Sequence, residues 1–566
     1  MSRILQLVLF DIRGIKDYIF ATNKLKEISG ASVLLDRFNR FAPLLILSQD
    51  AIYGKGNYRR QDQQFEENDR TVEDENCAWQ VVYLGGGTGK ILFRERNLAE
   101  KFCQQLQQSA HKHLISAQVV THIEEWQCDK ETPGEFLQRA EHNLRVAKSV
   151  TTISDKTFSG LYVYPCKLCG QWPAQHSHPD KPNDLEQFIC HACLIKWRCA
   201  KEHPEAPFAG LSEKDWPDIP KILSDLAIKN GYVKDGKANM PETLSDIRAA
   251  GTPENYVAML YSDVNGLGKV LQDLLKPDSA DFNLYSNMSK WVDKAAKEAL
   301  KECLELWGPE PGGSLDVYPV QVIVGGGDDL IAIVPAQYGA QLALEFTSSF
   351  HRIFAEKSKD EPRLQALNLT VSVGLVITKS SYPIREMVER SHELLKSAKR
   401  AFRNQDCAAI DYMAIKSSAV QSIEYIRTNE LSKRDSGGRR YKIHARPYKT
   451  EDFERLLRHV IAFKRADFPR NKLHAFYELF FKGEWHSKVE AYKLVTRLPQ
   501  SSDYGDDSPR DVLLRFWQKS DMDFFPWKQT TDGFEAPLAD LIELYEFINP
   551  VTMREVFDES NQMAAD

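Results

Sequence analysis

Gly325-Gly-Gly-Asp-Asp-Leu330 lies between two apolar runs, 318–324 and 330–334, and reads as the tight turn of a β-hairpin. Glycines beside the aspartates admit positive φ and the close approach of a ligand. Upstream, a β-rich run at 257–261 leads to Asp263, then to Asn265-Gly-Leu-Gly268-Lys269 and a helix. Downstream come a helix at about 340–356, a strand at 369–377 and, after Pro383, a helix to about 402. This order sets Asp263, at the end of one strand, against Asp328 and Asp329 in the neighbouring turn. Hard divalent cations are bound by several oxygens, and two ions about 4 Å apart can clamp an attacking hydroxyl and a leaving phosphate oxygen. Taken alone, the cluster is equally an ordinary Gly/Asp turn; its position opposite Asp263 favours the metal site.

The same order occurs once before. A strand at 4–10 leads through Asp11-Ile-Arg-Gly14 to helical segments reaching about 47. A polar stretch, 58–76, reads as a loop or insert. Strands at 78–84 and 91–93 flank Gly85-Gly-Gly-Thr-Gly89, and a helix (97–113), a strand (119–123) and a helix from Pro133 to about 150 follow. Asp11 and Asp263 lie 252 positions apart, the glycine clusters 240, and the pairs Ala147-Lys148 and Ala398-Lys399 251. A near-constant offset at three landmarks predicts a duplicated domain. Each copy reads β-α-(α)-β-β-α-β-α, so the predicted fold is α+β with two ferredoxin-like palms, the layer found in nucleotide cyclases and polymerases.

Thr88 and Gly89 stand in the first copy where this spacing sets Asp328 and Asp329. Asp11 survives, so the first palm is expected to bind a nucleotide, with Asp11, Gly86 and Gly87 at its surface, rather than to catalyse. The run GGGTGK does not make a phosphate loop, because Leu84 occupies the first glycine position and Ile91 follows the lysine. In the second palm Asn265, Gly266, Gly268 and Lys269 open a helix where a triphosphate would meet backbone N–H groups, beside Gly326 and Gly327. Lys399 and Arg403 are one helical turn apart near the end of the last palm helix. They either meet phosphates or complement the helix dipole.

Cys166-Lys-Leu-Cys169 and Cys190-His-Ala-Cys193 are two CxxC pairs with 20 residues between them, the spacing of a closed structural Zn²⁺ site. Free thiols and an iron–sulfur centre are the alternatives, and His176, His178 or His191 could replace one ligand. Lys433, Arg434, Arg439, Arg440, Lys442, Arg446 and Lys449 form a dense basic run that either tracks an RNA backbone or is a solvated linker. Beyond it the pattern is helical, at about 448–466, 471–481, 487–497 and 509–519. The predicted domains are therefore 1–155 (first palm), 156–250 (zinc module and helical linker), 251–430 (second palm) and 431–566 (helical).

Composition bounds the function. In 566 residues, 80 acidic side chains face 73 basic ones, for a net charge of -7, which excludes coating nucleic acid by bulk charge. With 42% apolar and 27% charged residues the chain is no disordered polymer. No run approaches the roughly 18 apolar residues of a membrane span, and the N-terminus reads as a strand rather than a signal peptide. Four of the ten cysteines fall in CxxC pairs and six are scattered, as suits a reducing compartment; the expected location is cytoplasmic.

The motifs together resemble the large polymerase/cyclase subunit of type III CRISPR effector complexes, the Cas-ten or Cmr-two family. FDIRGIKDYIFATNKLKEISGAS is similar to that family's first-palm signature and GGGDDL to its catalytic signature; the CxxC pairs between the palms and the tail introduced by HARPYK fit the same plan. The resemblance implies synthesis of adenylate second messengers from ATP, as cyclic oligoadenylate or an AMP conjugate, once the complex of other subunits and guide RNA binds target RNA. It implies Mg²⁺ or Mn²⁺ on Asp263, Asp328 and Asp329, with Lys399 and Arg403 on phosphates. Many members begin with a histidine–aspartate nuclease domain. This sequence has no His-Asp dipeptide, so nuclease activity is not expected. Two other readings stand beside this one: a non-catalytic scaffold subunit, and a stand-alone cyclase of the GGDEF type that uses GTP.

Overall fold

The computed structural model describes residues 4–150, 163–182, 184, 187–214, 218–274, 282–306, 317–359, 361, 364, 369–403, 405, 407–416, 421–435, 437–499, 508–517 and 525–550. The expected boundary at 155/156 and the last residues of the helix expected to reach 519 lie outside them.

The first palm is a four-stranded antiparallel sheet of β1 (Ile4–Arg13), β2 (Trp79–Gly85), β3 (Thr88–Phe93) and β4 (Gln118–Gln127), in the order β2-β3-β1-β4. Its helices are α1 (Ile15–Ile19), α2 (Leu25–Leu47), α3 (Arg96–His113) and α4 (Pro133–Val150). Helix α5 (His191–Ala200) begins within the second CxxC pair, with Cys190 as its N-cap and Cys193 in its first turn. The second palm repeats the pattern with β5 (Tyr256–Val264), β6 (Gln321–Gly326), β7 (Asp329–Pro335) and β8 (Val371–Lys379), in the order β6-β7-β5-β8. Helices α6 (Phe282–Leu306), α7 (Ala336–Lys357) and α8 (Ile384–Ala401) accompany it. Two strands extend this sheet: β9 (Ala409–Ile415), parallel to β8, and β10 (Tyr448–Lys449), antiparallel to β9.

Alternation explains why the central strands read as nearly continuous apolar runs. On β5, Val257, Met259 and Tyr261 enter one core while Ala258, Leu260 and Val264 enter another. On β1, Val8, Phe10 and Ile12 share a core with that first face of β5, and Leu5, Leu7 and Leu9 face the opposite way. With both faces covered, period-2 polarity disappears from the sequence and only the run of apolar residues remains. One apolar core therefore joins the palms.

Three expectations change. The polar stretch 58–76 contains a hairpin, Tyr58–Gln61 with Gln64–Glu67, to which Ser212–Glu213 adds a third strand. Arg59 lies opposite Glu66 across it, and Phe65 is its buried anchor, so charge pairing hides the strand pattern from a hydropathy reading. The region after 430 is not purely helical. Ser432–Arg434, Arg440–Lys442, Lys528–Thr530 and Gly533–Glu535 form a four-stranded sheet among the helices Thr450–Arg465, Arg470–Leu479, Glu484–Thr496, Pro509–Trp517 and Pro537–Tyr545.

The third correction concerns the repeat. The glycine spacing sets Thr88 and Gly89 against Asp328 and Asp329, but strand register sets Gly87 against Asp328 and Thr88 against Asp329. Thr88 pairs with Asp11 across β1–β3, as Asp329 pairs with Asp263 across β5–β7. Both hairpins carry a register shift at the same place, between Val81 and Tyr83 and between Val322 and Val324. The turns differ in kind. Gly86 and Gly87 both have positive φ (57° and 79°), whereas in the second palm only Gly327 does (67°). A turn with a single positive φ at its first central position, as in type II′, leaves the second open to an L-residue, and Asp328 takes it.

Candidate active site

Asp263 is the penultimate residue of β5 and stands directly opposite Asp329, the first residue of β7; Asp328 is exposed at the turn between. Side chains at opposed positions of an antiparallel pair lie about 5 Å apart at Cβ, so the register alone crowds two carboxylates together. Burial, then the charges of Asp328 and Asp263, push the Asp329 carboxyl up to about 7, against the opposing pull of Lys399 and Lys16. Burial and Asp328 also raise Asp263, which Lys399 partly offsets. Carboxylates held together against their own repulsion suit a cation. They do not close into a tight cage, however. Among the described residues only the four cysteines form a group of three or more His, Cys, Asp or Glu whose ligating atoms all lie within 4.8 Å of one another.

Lys399 Nζ lies 2.5 Å from Asp263 Oδ2 and donates to the Val264 carbonyl at 3.1 Å. It is therefore the counter-ion of the strand end. The first palm has the same device: Lys148, at the matching place on α4, pairs with Asp11 at 2.8 Å. Arg403 is exposed and lies beyond Ala401, where α8 ends, so the two cations expected one turn apart on one helix are not both on it. Asn265 also serves the fold. Its amide donates to Thr370 Oγ1 (2.9 Å) and to the Cys407 carbonyl (3.3 Å) and accepts from Ser372 Oγ (2.9 Å), tying the end of β5 to the start of β8. Gly266 (φ 69°) makes the turn into the short helix Leu267–Asp273, where Gly268 and Lys269 are exposed.

The palms meet turn to turn. A methyl group placed on Gly327 would sit 3.8 Å from both Gly86 Cα and Tyr83 Oη of the first palm. Nearby, α1 of the first palm approaches the second palm's carboxylates. Lys16 Nζ lies 3.5 Å from His392 Nδ1 on α8 and 5.6 Å from the centre of the Tyr261 ring, on which His392 stacks. Lys16, Tyr261 and His392 were not reached by sequence reasoning. Lys16 sits in the quoted first-palm signature, but nothing local announces a partner 376 positions away. Burial, then Lys16, Lys396 and Lys399, hold His392 down at about 4. Because that value lies below the ordinary one, the stability it contributes is whole above about pH 6.5 and is lost as pH falls towards 4. Thermal melts of wild type and His392→Gln should diverge accordingly, with the variant losing less stability between pH 7 and 5; parallel curves would refute the assignment.

The four cysteines Cys166, Cys169, Cys190 and Cys193 converge, with Cys169 and Cys190 Sγ 3.8 Å apart. Zn–S bonds of about 2.3 Å give a tetrahedral S–S edge of about 3.8 Å. His176 and His191 face each other at 3.2 Å and are not part of the cluster.

The basic run is largely consumed within the fold. Arg439 pairs with Asp435 (2.8 Å) and Lys442 with Glu535 (3.0 Å). Arg446, only 1% exposed, is locked to Asp540 and Glu543 at 2.8 Å each, and Arg440 donates to Ser432. Lys433 and Arg434 remain exposed on their strand. Among the described residues no helix is long and apolar enough to cross a membrane.

Residues 256–407, which carry all three aspartates, match the family model described as Cas10/Cmr2, second palm domain. The chain therefore carries a second palm domain of the Cas10/Cmr2 kind over those residues. No curated protein matches its sequence. Among solved structures the chain is similar to Csm1–Csm4 cassettes. One is in complex with one ATP (17% identity, 97% of this chain and 70% of that chain covered, TM-score 0.53), another with cA4 (16%, 91% and 69%, 0.52). A third is the Csm1–Csm4 subcomplex in the type III-A CRISPR–Csm interference complex (16%, 96% and 70%, 0.52). At these identities the likeness is one of fold, over nearly the whole chain.

Proposed function

We propose that this chain is the nucleotidyltransferase subunit of a type III CRISPR effector complex, joining adenylate units from ATP into a second messenger when target RNA is bound. The observation that carries the reading is Asp263 opposite Asp329, with Asp328 at a turn that meets the glycine turn of a second, acid-poor palm. Asp263, Asp328 and Asp329 would hold Mg²⁺ or Mn²⁺. When bound, these ions would offset charge on the attacking 3′-hydroxyl and on the departing pyrophosphate. Lys399 keeps a positive charge at the strand end. Lys16 brings another from the first palm, suited to a phosphate lying between the two. Asp11, Gly86 and Gly87 of the first palm would face the acceptor nucleotide, whose 3′-hydroxyl attacks the α-phosphate of ATP held by the second. Csm1–Csm4 cassettes of the same fold are in complex with ATP, pppApA and cA4, which supports adenylates as substrates and a Csm4-like subunit as partner; guide and target RNA are proposed from the resemblance of the motifs. The intact acids disfavour a pure scaffold.

Mass spectrometry of products decides the matter. The chain is incubated with ATP and Mg²⁺ or Mn²⁺, alone and then with co-expressed subunits, guide and target RNA, with S-adenosylmethionine and GTP in parallel arms. A new adenylate that needs target RNA is the expected result. Product from the chain alone would point to a free cyclase, and none under any condition to a scaffold.

The four-cysteine cluster is proposed to hold one structural zinc ion. Elemental analysis of purified chain should find about one zinc per chain, and Cys190→Ser should lower both the zinc content and the melting temperature. Iron, or no metal, would overturn the assignment.

A further inference from the structure

We infer that Asp293, on α6 of the second palm, is a positioning residue that holds the Gly327-Asp328 turn in register for cation and nucleotide binding. This rests on the reading of Asp328 as a ligand given above. Three observations converge on it. The Gly327 N–H donates to Asp293 Oδ1 at 2.5 Å, the one side-chain bond described for the turn's backbone. Lys297, one helical turn along α6, lies 3.0 Å from the other carboxylate oxygen, and the two side chains are 2% and 6% exposed. A methyl group placed on Gly326 would come 3.3 Å from the same Oδ1, so the carboxylate is packed against the turn rather than merely near it.

Many hairpin turns lack even their own i to i+3 bond, and Asp328 is exposed in this one. A buried acceptor on a 25-residue helix anchors this turn. Lys297, bound to the other oxygen, in turn holds the Asp293 carboxylate in the orientation that presents Oδ1 to the turn. The grip also reaches the other palm. Arg40 of α2, buried in the first palm, lies within electrostatic reach of Asp293, Asp36 and Glu213, and Tyr83 of β2 lies within reach of Asp293 and Asp328. The second palm's turn is thus held from behind by its own helix and faced by two side chains of the first palm.

The test separates the hydrogen bond from the charge. Asp293→Asn with Lys297→Met keeps an acceptor for Gly327 N–H and removes the two paired charges together; Asp293→Leu with Lys297→Met removes the same charges and the acceptor at similar volume. Mn²⁺ affinity of the full chain is read by electron paramagnetic resonance with a non-hydrolysable ATP analogue, and turnover is read in the assembled complex. The first variant should bind Mn²⁺ within about 3-fold of wild type. The second should lose at least tenfold in affinity and drop in kcat with little change in KM for ATP, at a melting temperature matching the first. Should leucine prevent folding, Asp293→Ser with Lys297→Met removes the acceptor without added bulk. Equal Mn²⁺ affinity in the acceptor-keeping and acceptor-lacking variants would overturn the inference. Asp328→Ala with Asp329→Ala is the separate control: if that chain binds Mn²⁺ as wild type does, the fault lies in the reading of the carboxylates and not in Asp293.

Discussion

Asp328→Ala combined with Asp329→Ala is expected to lower nucleotide turnover at least ~10³-fold while leaving the chain folded and able to join its partners. The two carboxylates are half of the argument for a cation between β5 and the β6–β7 turn, and Lys399 with Asp263 cannot replace them. The same change should not weaken the fold. Asp329 is pushed up to about 7 by burial and by its acidic neighbours, so in the absence of divalent ions its ionised form opposes folding. That penalty grows as pH rises from the ordinary carboxylate range, about 4, towards 7. Melts in EDTA should therefore find the double variant gaining on wild type as pH rises from 5 to 8, and more stable than wild type at pH 8. Retained turnover would remove the second palm as the catalytic centre. A variant that melts lower at pH 8 would instead mean that these acids serve the fold.

The second large effect lies far from the carboxylates. Gly30 on α2 is where helix α5, which carries Cys193, crosses the first palm. A methyl group there would stand 1.9 Å from the Lys196 carbonyl oxygen and 3.0 Å from the Ala200 nitrogen, both backbone atoms that cannot swing aside. The helices must part by more than a rotamer change can absorb. Lys196 makes this costly: it is 2% exposed, donates to the Tyr18 carbonyl at 2.6 Å and lies 3.9 Å from the centre of the Tyr18 ring. Gly30→Val should thus cost about 3 kcal/mol. It should also lower turnover, because Tyr18 and Lys16 share the five-residue helix α1. Calorimetry and product assays on one preparation would check both. An unchanged melting temperature would mean that α2 and α5 do not touch as described.

What the residues disclosed, and what they concealed, divides along sequence distance. The helix from Pro133 to 150 and the strands on either side of both glycine clusters are local patterns, and they stand where periodicity puts them. Asp263 and Asp329 were readable as neighbours because a duplicated order of elements fixed which strand lies beside which. The register was not readable: a run of three glycines can be slid by one residue without any local penalty, and only the pairing of Thr88 with Asp11 settles it. Lys16 with His392, and Asp293 with Gly327, join separate stretches of chain across a packed interface and leave no mark on either. The basic run misleads for the same reason, since Asp540 and Glu543, which neutralise Arg446, lie some 95 positions later.

The strand β10 gives the second palm and the tail a common fate. Tyr448 and Lys449 complete the palm's sheet, Tyr448 Oη donates to Asp540 at 2.6 Å, and the Ala414 N–H of β9 donates to Glu543 at 2.6 Å. Asp540 and Glu543 belong to the helix Pro537–Tyr545, so nearly the last described helix is bolted to a sheet that opens at Tyr256. Unfolding either part exposes the buried Arg446 and its acids in the other. The two therefore melt as a single cooperative unit, and a chain cut between them would lose an edge strand from one fragment and a counter-charge from the other.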